Sequence, residues 1–170
     1  MSILEVLKKR RSIRKYQTKL VEKDKVLKVL EAARLGPSAD NQQPCQFIVV
    51  TDEEVRERLR ASYNAEWFVH APVIIVCCAN PKGSWRRKDG EEYWKVDAAI
   101  AMQNLILAAT EEGLGTCWIT NFDEKATKKA LNIPKDFRVV AMTPLGYPAE
   151  EKALVSDRKP LDTIVHYNKW

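Results

Sequence analysis

Histidine is scarce in this 170-residue chain, which carries only His70 and His166, and glycine numbers six. The four cysteines, Cys45, Cys77, Cys78 and Cys117, include one adjacent pair and no CxxC spacing. Neighbours in a strand point to opposite faces, so Cys77 and Cys78 are poor joint metal ligands and poor disulfide partners. A zinc site is disfavoured, and small buried thiols in a reducing compartment are expected instead. No apolar run approaches the ~20 residues of a membrane span; Val73–Ala79 is short and strand-like. The start, Met1-Ser2-Ile3-Leu4-Glu5, sets an acid where a secretory leader needs an apolar stretch, so a cytoplasmic location is expected. Common catalytic signatures are missing too: there is no GxxxxGK(S/T), no GxSxG and no HExxH. Gly113-Leu-Gly115-Thr-Cys-Trp118 begins like a dinucleotide fingerprint, but Trp stands at the third glycine position and the segment follows a helix rather than opening one.

What the chain does have is core-forming material and positive charge. With 45% hydrophobic residues and five tryptophans it is no disordered segment, and its length fits a single domain over 1–170. The net charge is +5, and ten of the 28 Lys and Arg residues lie in the first 28 positions, opposed there only by Glu5, Glu22 and Asp24. Such an arm suits nucleic acid, a phosphate pocket or plain solvent. Only Tyr16 is available in it for base stacking, and the total charge is modest, so nucleic acid is disfavoured.

Periodicity and caps sketch the elements. Ser2 to Glu5 is a capping box that opens a short helix with Ile3, Val6 and Leu7 inward. A second helix is predicted from about Glu22 to Leu35, then a polar loop over 36–46 and a strand over Phe47–Val50. Thr51 to Glu54 reads as another capping box, leading a helix to about Ala61. Val73–Ala79 is a fully apolar strand, Pro81–Gly90 a mobile basic loop, and 95–112 a helix apolar nearly all round, therefore central. A strand at Thr116–Ile119, a helix from Asp123 to about Leu131, a strand over Phe137–Thr143 closed by Pro144, and a strand-like tail at Leu161–Tyr167 follow. No steady βαβ rhythm appears, so the class is α+β.

Four segments can carry chemistry. In Arg10-Arg11-Ser12-Ile13-Arg14, an extended backbone puts Arg10, Ser12 and Arg14 on one side, a match for a phosphate or a polarised carbonyl edge. A solvated basic turn explains the same residues. Pro37-Ser38-x-x-Asn41-x-Gln43-Pro44 offers amides that both donate and accept, as a pyrimidine edge requires, though an ordinary capped loop does as well. Gly113–Trp118 lets a flat ring approach the backbone, or simply ends a helix. Asp157-Arg158-Lys159-Pro160 is a late basic turn that on its own reads as surface.

Taken in order, RRSIRKY at 10–16, PSADNQQP at 37–44, APVIIVCCA at 71–79, DAAIAMQNLILAATEEGLGTCWI at 97–119 and RKPLDTIVHYNKW at 158–170 resemble a short member of the nitroreductase family of FMN-dependent oxidoreductases. The resemblance implies an α+β fold with a central mixed sheet flanked by helices, in an intertwined homodimer with two FMN sites at the subunit interface. It implies that Arg10, Ser12 and Arg14 hold the phosphate, ribityl and pyrimidine groups, with Arg11 contributing through its backbone. Pro37, Ser38 and Asn41 match the loop that reaches the flavin from the other subunit. Thr116, Cys117 and Trp118 match the segment beside the ring, Arg158 the late arginine near the phosphate, and Asn64 an amide near the reactive edge. A lysine that some members carry two residues before that arginine is Ser156 here. No catalytic side chain is required, since the flavin carries the chemistry and Arg14 tunes it. The implied activity is NAD(P)H-dependent reduction of nitroaromatic, quinone or flavin acceptors by a ping-pong hydride mechanism. Dehalogenation, activated double-bond reduction and FMN binding without turnover are the alternatives. The tail from Leu161 to Trp170 is expected to pack on the partner subunit.

Overall fold

A seven-residue strand with no polar side chain must be covered on both faces, so the run 73–79 dictates a layer on each side of a sheet. The computed structural model describes all 170 residues. Its main elements are α1 (Ile3–Lys9), α2 (Lys23–Arg34), β1 (Cys45–Val50), α3 (Glu53–Arg58), α4 (Glu66–Val69), β2 (Val73–Ala79), α5 (Trp94–Glu111), β3 (Gly115–Thr116), α6 (Glu124–Leu131) and β4 (Arg138–Gly146). The strands lie in the order β1-β2-β4-β3. The class is α+β, as the sequence predicts, but the sheet is not mixed. Every strand pair is antiparallel, and parallel pairing is confined to one isolated bridge, Ser12 to Thr116. The reason is topological: β2 and β3 run the same way through the α5 crossover, but β4 inserts between them.

Alternation along β2 divides the core. Ile74, Val76 and Cys78 pack with Leu59, Phe68, Val69, Ile119 and Met142 on one face. Val73 and Ile75 meet Val26, Val29 and Ala33 of α2 and Leu105 and Ala109 of α5 on the other, where Cys77 meets Ala98 and Met102. The adjacent cysteines therefore do face apart, and all four thiols are free. Helix α5 is the central helix expected: Ala98, Met102, Leu105 and Ala109 are fully buried.

Several boundaries differ from the sequence reading. In α1 only Val6 is buried; Ile3 and Leu7 stay exposed because the chain offers nothing to cover them. β1 starts at Cys45, two residues early. The cap of α3 is Asp52, accepting from the Val55 amide, so no box is led by Thr51. The 81–90 segment opens with a 3-10 turn and becomes a hairpin, tied by an Arg86–Glu92 bridge and by Trp85 edge-on to Tyr93 at 5.0 Å. β3 is only two residues long, and Ile119 rejoins the sheet by bonding Met142 in both directions. β4 runs straight through Pro144. Its neighbour Met142 turns its backbone groups toward Ile119, so Pro144, two residues on, turns its missing N–H to the same edge. That edge is the gap where Cys117 and Trp118 leave the ladder, and the Cys117 amide donates instead to the Thr143 hydroxyl at 3.2 Å. The tail holds no strand: Leu161–Thr163 is a 3-10 turn and every residue from Ser156 to Trp170 is exposed. No sheet edge of its own chain reaches it.

Candidate functional site

The capping box closes at both ends, Ser2 N–H donating to Glu5 at 2.7 Å and Glu5 N–H to the Ser2 hydroxyl at 3.3 Å. Helix α1 thus delivers Arg10 at its C-terminus, where the chain turns extended. The next residues lie along β3. Ile13 N–H donates to the Thr116 carbonyl at 2.9 Å, and the Ile13 side chain rests on Gly115 so closely that a Cβ there would fall 2.8 Å from it. Tyr16 bridges Pro148 and its hydroxyl donates to the Ile13 carbonyl at 2.7 Å, while burial raises its pKa.

The late chain folds back over this segment. Arg14 N–H donates to Glu150 at 2.6 Å, Lys152 Nζ to the Ser12 carbonyl at 2.7 Å, and Val155 N–H to the Lys8 carbonyl at 3.2 Å. The Arg14 amide is the main cause holding the Glu150 carboxyl below its usual range. Between the two segments lies a cavity of about 330 Å³ lined by Arg10, Arg11, Ser12, Arg14, Lys152 and residues 153–158, including Arg158. Residues from opposite ends of the sequence thus share one basic recess. None of its four guanidiniums meets a carboxylate; Arg158 bonds only the Asp157 carbonyl, and Arg14 lies 5.8 Å from the Trp67 ring centre. Planar donors left unpaired around a cavity fit a phosphate or another oxyanion.

The other expected residues are placed elsewhere. Thr116 pairs with Ser12 through its backbone but does not line the recess, and its side chain is buried. Cys117 is sealed in the core beside Ile119, and half-buried Trp118 packs against the α5 side. Pro37 and Ser38 line a second cavity of about 200 Å³ near the start of α5, which shares no lining residue with the first. Asn41 is exposed and left-handed, with φ 53°. Asn64 is exposed just before α4 and lines neither cavity.

Lys152 was not singled out by the sequence. It adds a cation to the recess that carries Ser156 in place of a lysine, and its sequence signal is slight, a lone lysine six residues before Arg158. No cluster of ligating side chains suits a metal, and no helix is long and apolar enough to cross a membrane.

Comparison with known proteins places this geometry. The profile described as "Nitroreductase family" matches residues 7–67 and 60–147. A protein of Archaeoglobus fulgidus, named among the NADH dehydrogenase/NAD(P)H nitroreductases, is 36% identical over 98% of this chain and 98% of its own. A nitroreductase family protein of Clostridium difficile superposes with a TM-score of 0.90, 32% identical, over 100% of both chains. An FMN-dependent nitroreductase of the same species superposes with a TM-score of 0.85, 35% identical, over 98% of this chain and 99% of its own.

Proposed function

The chain belongs to the nitroreductase family of oxidoreductases, and on that footing we propose that it binds FMN and uses NAD(P)H to reduce small planar acceptors, working as a homodimer. The observation that carries the reading is the recess of four guanidiniums without carboxylate partners. A doubly charged phosphate is costly to bury without such donors.

In this reading Arg10, Arg158 and Lys152 hold the phosphate, with Ser12 beside them, and Arg11 contributes along the same wall. Bound FMN supplies the hydride relay between nicotinamide and acceptor. Arg14 projects its cation toward the pyrimidine edge, favouring negative charge there. Thr116, Cys117 and Trp118 offer backbone beside the ring, since the Thr116 and Cys117 side chains face the core. Asn64 reaches the ring from the turn before α4. Pro37, Ser38 and Asn41 come from the second copy, which accounts for the distance of Pro37 and Ser38, in their separate cavity, from the recess. Exposed Ile3, Leu4, Leu161, Ile164, Tyr167 and Trp170 supply apolar surface for that partner, with the tail laid across it. Nicotinamide and a nitroaromatic, quinone or flavin acceptor bind in turn, in a ping-pong cycle. A cytoplasmic location fits the four free thiols.

The purified protein is expected to be yellow, or to become so on addition of FMN. NADH or NADPH should bleach it without oxygen, and an acceptor should restore the colour. A preparation that takes up no FMN overturns the reading, and FMN that no nicotinamide bleaches leaves a binding protein without turnover. Ultracentrifugation reads the dimer: a folded monomer that retains FMN removes that part.

A further inference from the structure

Asp97 is a carboxylate in an unusual position. It sits in the first turn of α5, only 3% exposed, with Oδ1 accepting from the Ala39 amide at 2.9 Å. Its Oδ2 is the one buried side-chain oxygen or nitrogen of the chain without a hydrogen-bond partner. No cation pairs with it, and the carboxylate lines the second cavity with Ser38, Gln43 and Cys45. Enclosing a carboxylate on so few bonds is unfavourable, only partly relieved by the positive end of the helix, so stability alone gives little reason for an acid here.

The loop it grips gives the reason. Between Pro37 and Pro44 three residues other than glycine are left-handed: Asp40 at φ 51°, Asn41 at 53° and Gln43 at 50°. Asn and Asp tolerate that region, whereas Gln43 is strained in it. Such a backbone persists only when its surroundings over-determine it. Within the loop Asn41 N–H donates to the Ser38 carbonyl at 3.0 Å, Gln42 N–H to the Ala39 carbonyl at 3.1 Å and Gln43 N–H to the Ser38 hydroxyl at 3.0 Å. Outward bonds run from Ala39 N–H to Asp97 at 2.9 Å and from Asn80 N–H to the Pro44 carbonyl at 3.1 Å. Of these, the Asp97 bond alone ties the middle of the loop to a rigid buried helix. Ala39 stands between Ser38 and the left-handed pair, so its anchor fixes the direction of both Ser38 and Asn41.

We infer that Asp97 is the positioning residue of the 37–44 loop, holding Ser38 and Asn41, through Ala39, in the orientation in which they meet the cofactor. The inference rests on the FMN reading above and adds a residue outside the cofactor's own contacts. Asp97→Ala removes the acceptor, whereas Asp97→Asn keeps a carbonyl oxygen for Ala39. In Asp97→Ala, FMN titration should show affinity lowered at least tenfold, hydrogen exchange at the Ala39 amide at least tenfold faster, and visible circular dichroism of bound FMN altered. Asp97→Asn should restore all three to within threefold of the parent protein. A role confined to fold stability would lower Tm and leave FMN affinity and the flavin dichroism unchanged, and that result overturns the inference. So does an Asp97→Asn protein as impaired as Asp97→Ala while Ala39 stays protected, since the charge rather than the anchor would then matter. If Asp97→Ala does not fold, Asp97→Ser, whose side chain is too short to keep the bond, replaces it in the same comparison. Failure of the parent protein to bind FMN would instead sink the function proposed above.

Discussion

The arginines of the basic recess and most of those elsewhere have the same chemistry and opposite surroundings; outside the recess only Arg56, held by three backbone carbonyls, and Arg58 meet no carboxylate. Arg34, Arg60, Arg87 and Arg138 meet carboxylates at 2.6, 2.5, 2.7 and 2.8 Å, and Arg86 meets Glu92 closely as well. Most of those partners are near in sequence, as with Glu31 and Arg34 or Glu57 and Arg60. Around the recess the acids are diverted. Glu150 takes the Arg14 backbone amide at 2.6 Å and Lys152 at 3.3 Å, and Asp157, on the lining itself, meets none of the four guanidiniums with its carboxylate. Four guanidiniums are left without a carboxylate partner, as the phosphate reading proposed above requires. The difference teaches that charge content alone does not identify a binding site; the fate of the neighbouring carboxylates does.

The comparison is tested hardest by removing charge on the recess side. Arg10→Ala and Arg158→Ala should each weaken FMN binding about 10- to 100-fold, from loss of a charge-assisted bond contributing roughly 1.5–3 kcal/mol. Fluorescence titration of the apoprotein reads it, and affinities within twofold of the parent would place the phosphate elsewhere. Gly115→Ala disturbs placement without touching charge. Its Cβ would meet three Ile13 atoms at 2.8–3.0 Å, so the 10–14 segment must lift. Stability should fall by about 1–3 kcal/mol in chemical denaturation, with FMN affinity falling too. Unchanged affinity with lowered stability would mean that the exact seat of the arginines is unimportant.

Local chemistry made part of this architecture readable in advance. The Ser2–Glu5 box, the Asp123 cap of α6, the apolar β2 and the buried α5 are each encoded within about a dozen neighbouring residues, and all appear. The grouping of Arg10, Arg11, Ser12, Arg14 and Arg158 was legible through family resemblance, and one cavity brings them together. Spacing alone could not have joined position 158 to position 10. What stayed hidden depends on contacts between distant positions. Lys152 reaches Ser12 across 140 positions, Asp97 reaches Ala39 across 58, and the antiparallel sheet follows from the insertion of β4 between two strands already made. Pro144 misled because a proline reads as a strand end, yet its missing donor falls in a gap where no partner waits.

Smaller effects sharpen the contrast from the paired side. Arg138→Ala removes a two-pronged contact with Glu124, whose carboxylate also takes the Val139 amide at 3.0 Å. The arginine is half exposed, so solvent screens the pair and the expected loss is below about 1 kcal/mol, with FMN affinity unchanged. A tenfold loss of FMN affinity there would erase the distinction between the two sets.

Acid should reveal the diverted carboxylate beside the recess. Glu150 has its native pKa lowered, chiefly by the Arg14 amide and then by Lys152. A lowered native value means the unfolded chain binds the proton more readily, so the stabilisation is complete above the ordinary range near about 4.3 and fades as pH falls through the lower native value. Glu150→Gln keeps an oxygen for the Arg14 amide but cannot titrate. FMN retention by the parent protein should therefore fall more steeply than that of Glu150→Gln below about pH 4, and the two should run parallel above pH 5. Superimposable curves through the acid limb would show that the hold of Glu150 on the Arg14 backbone contributes nothing to keeping the recess in shape.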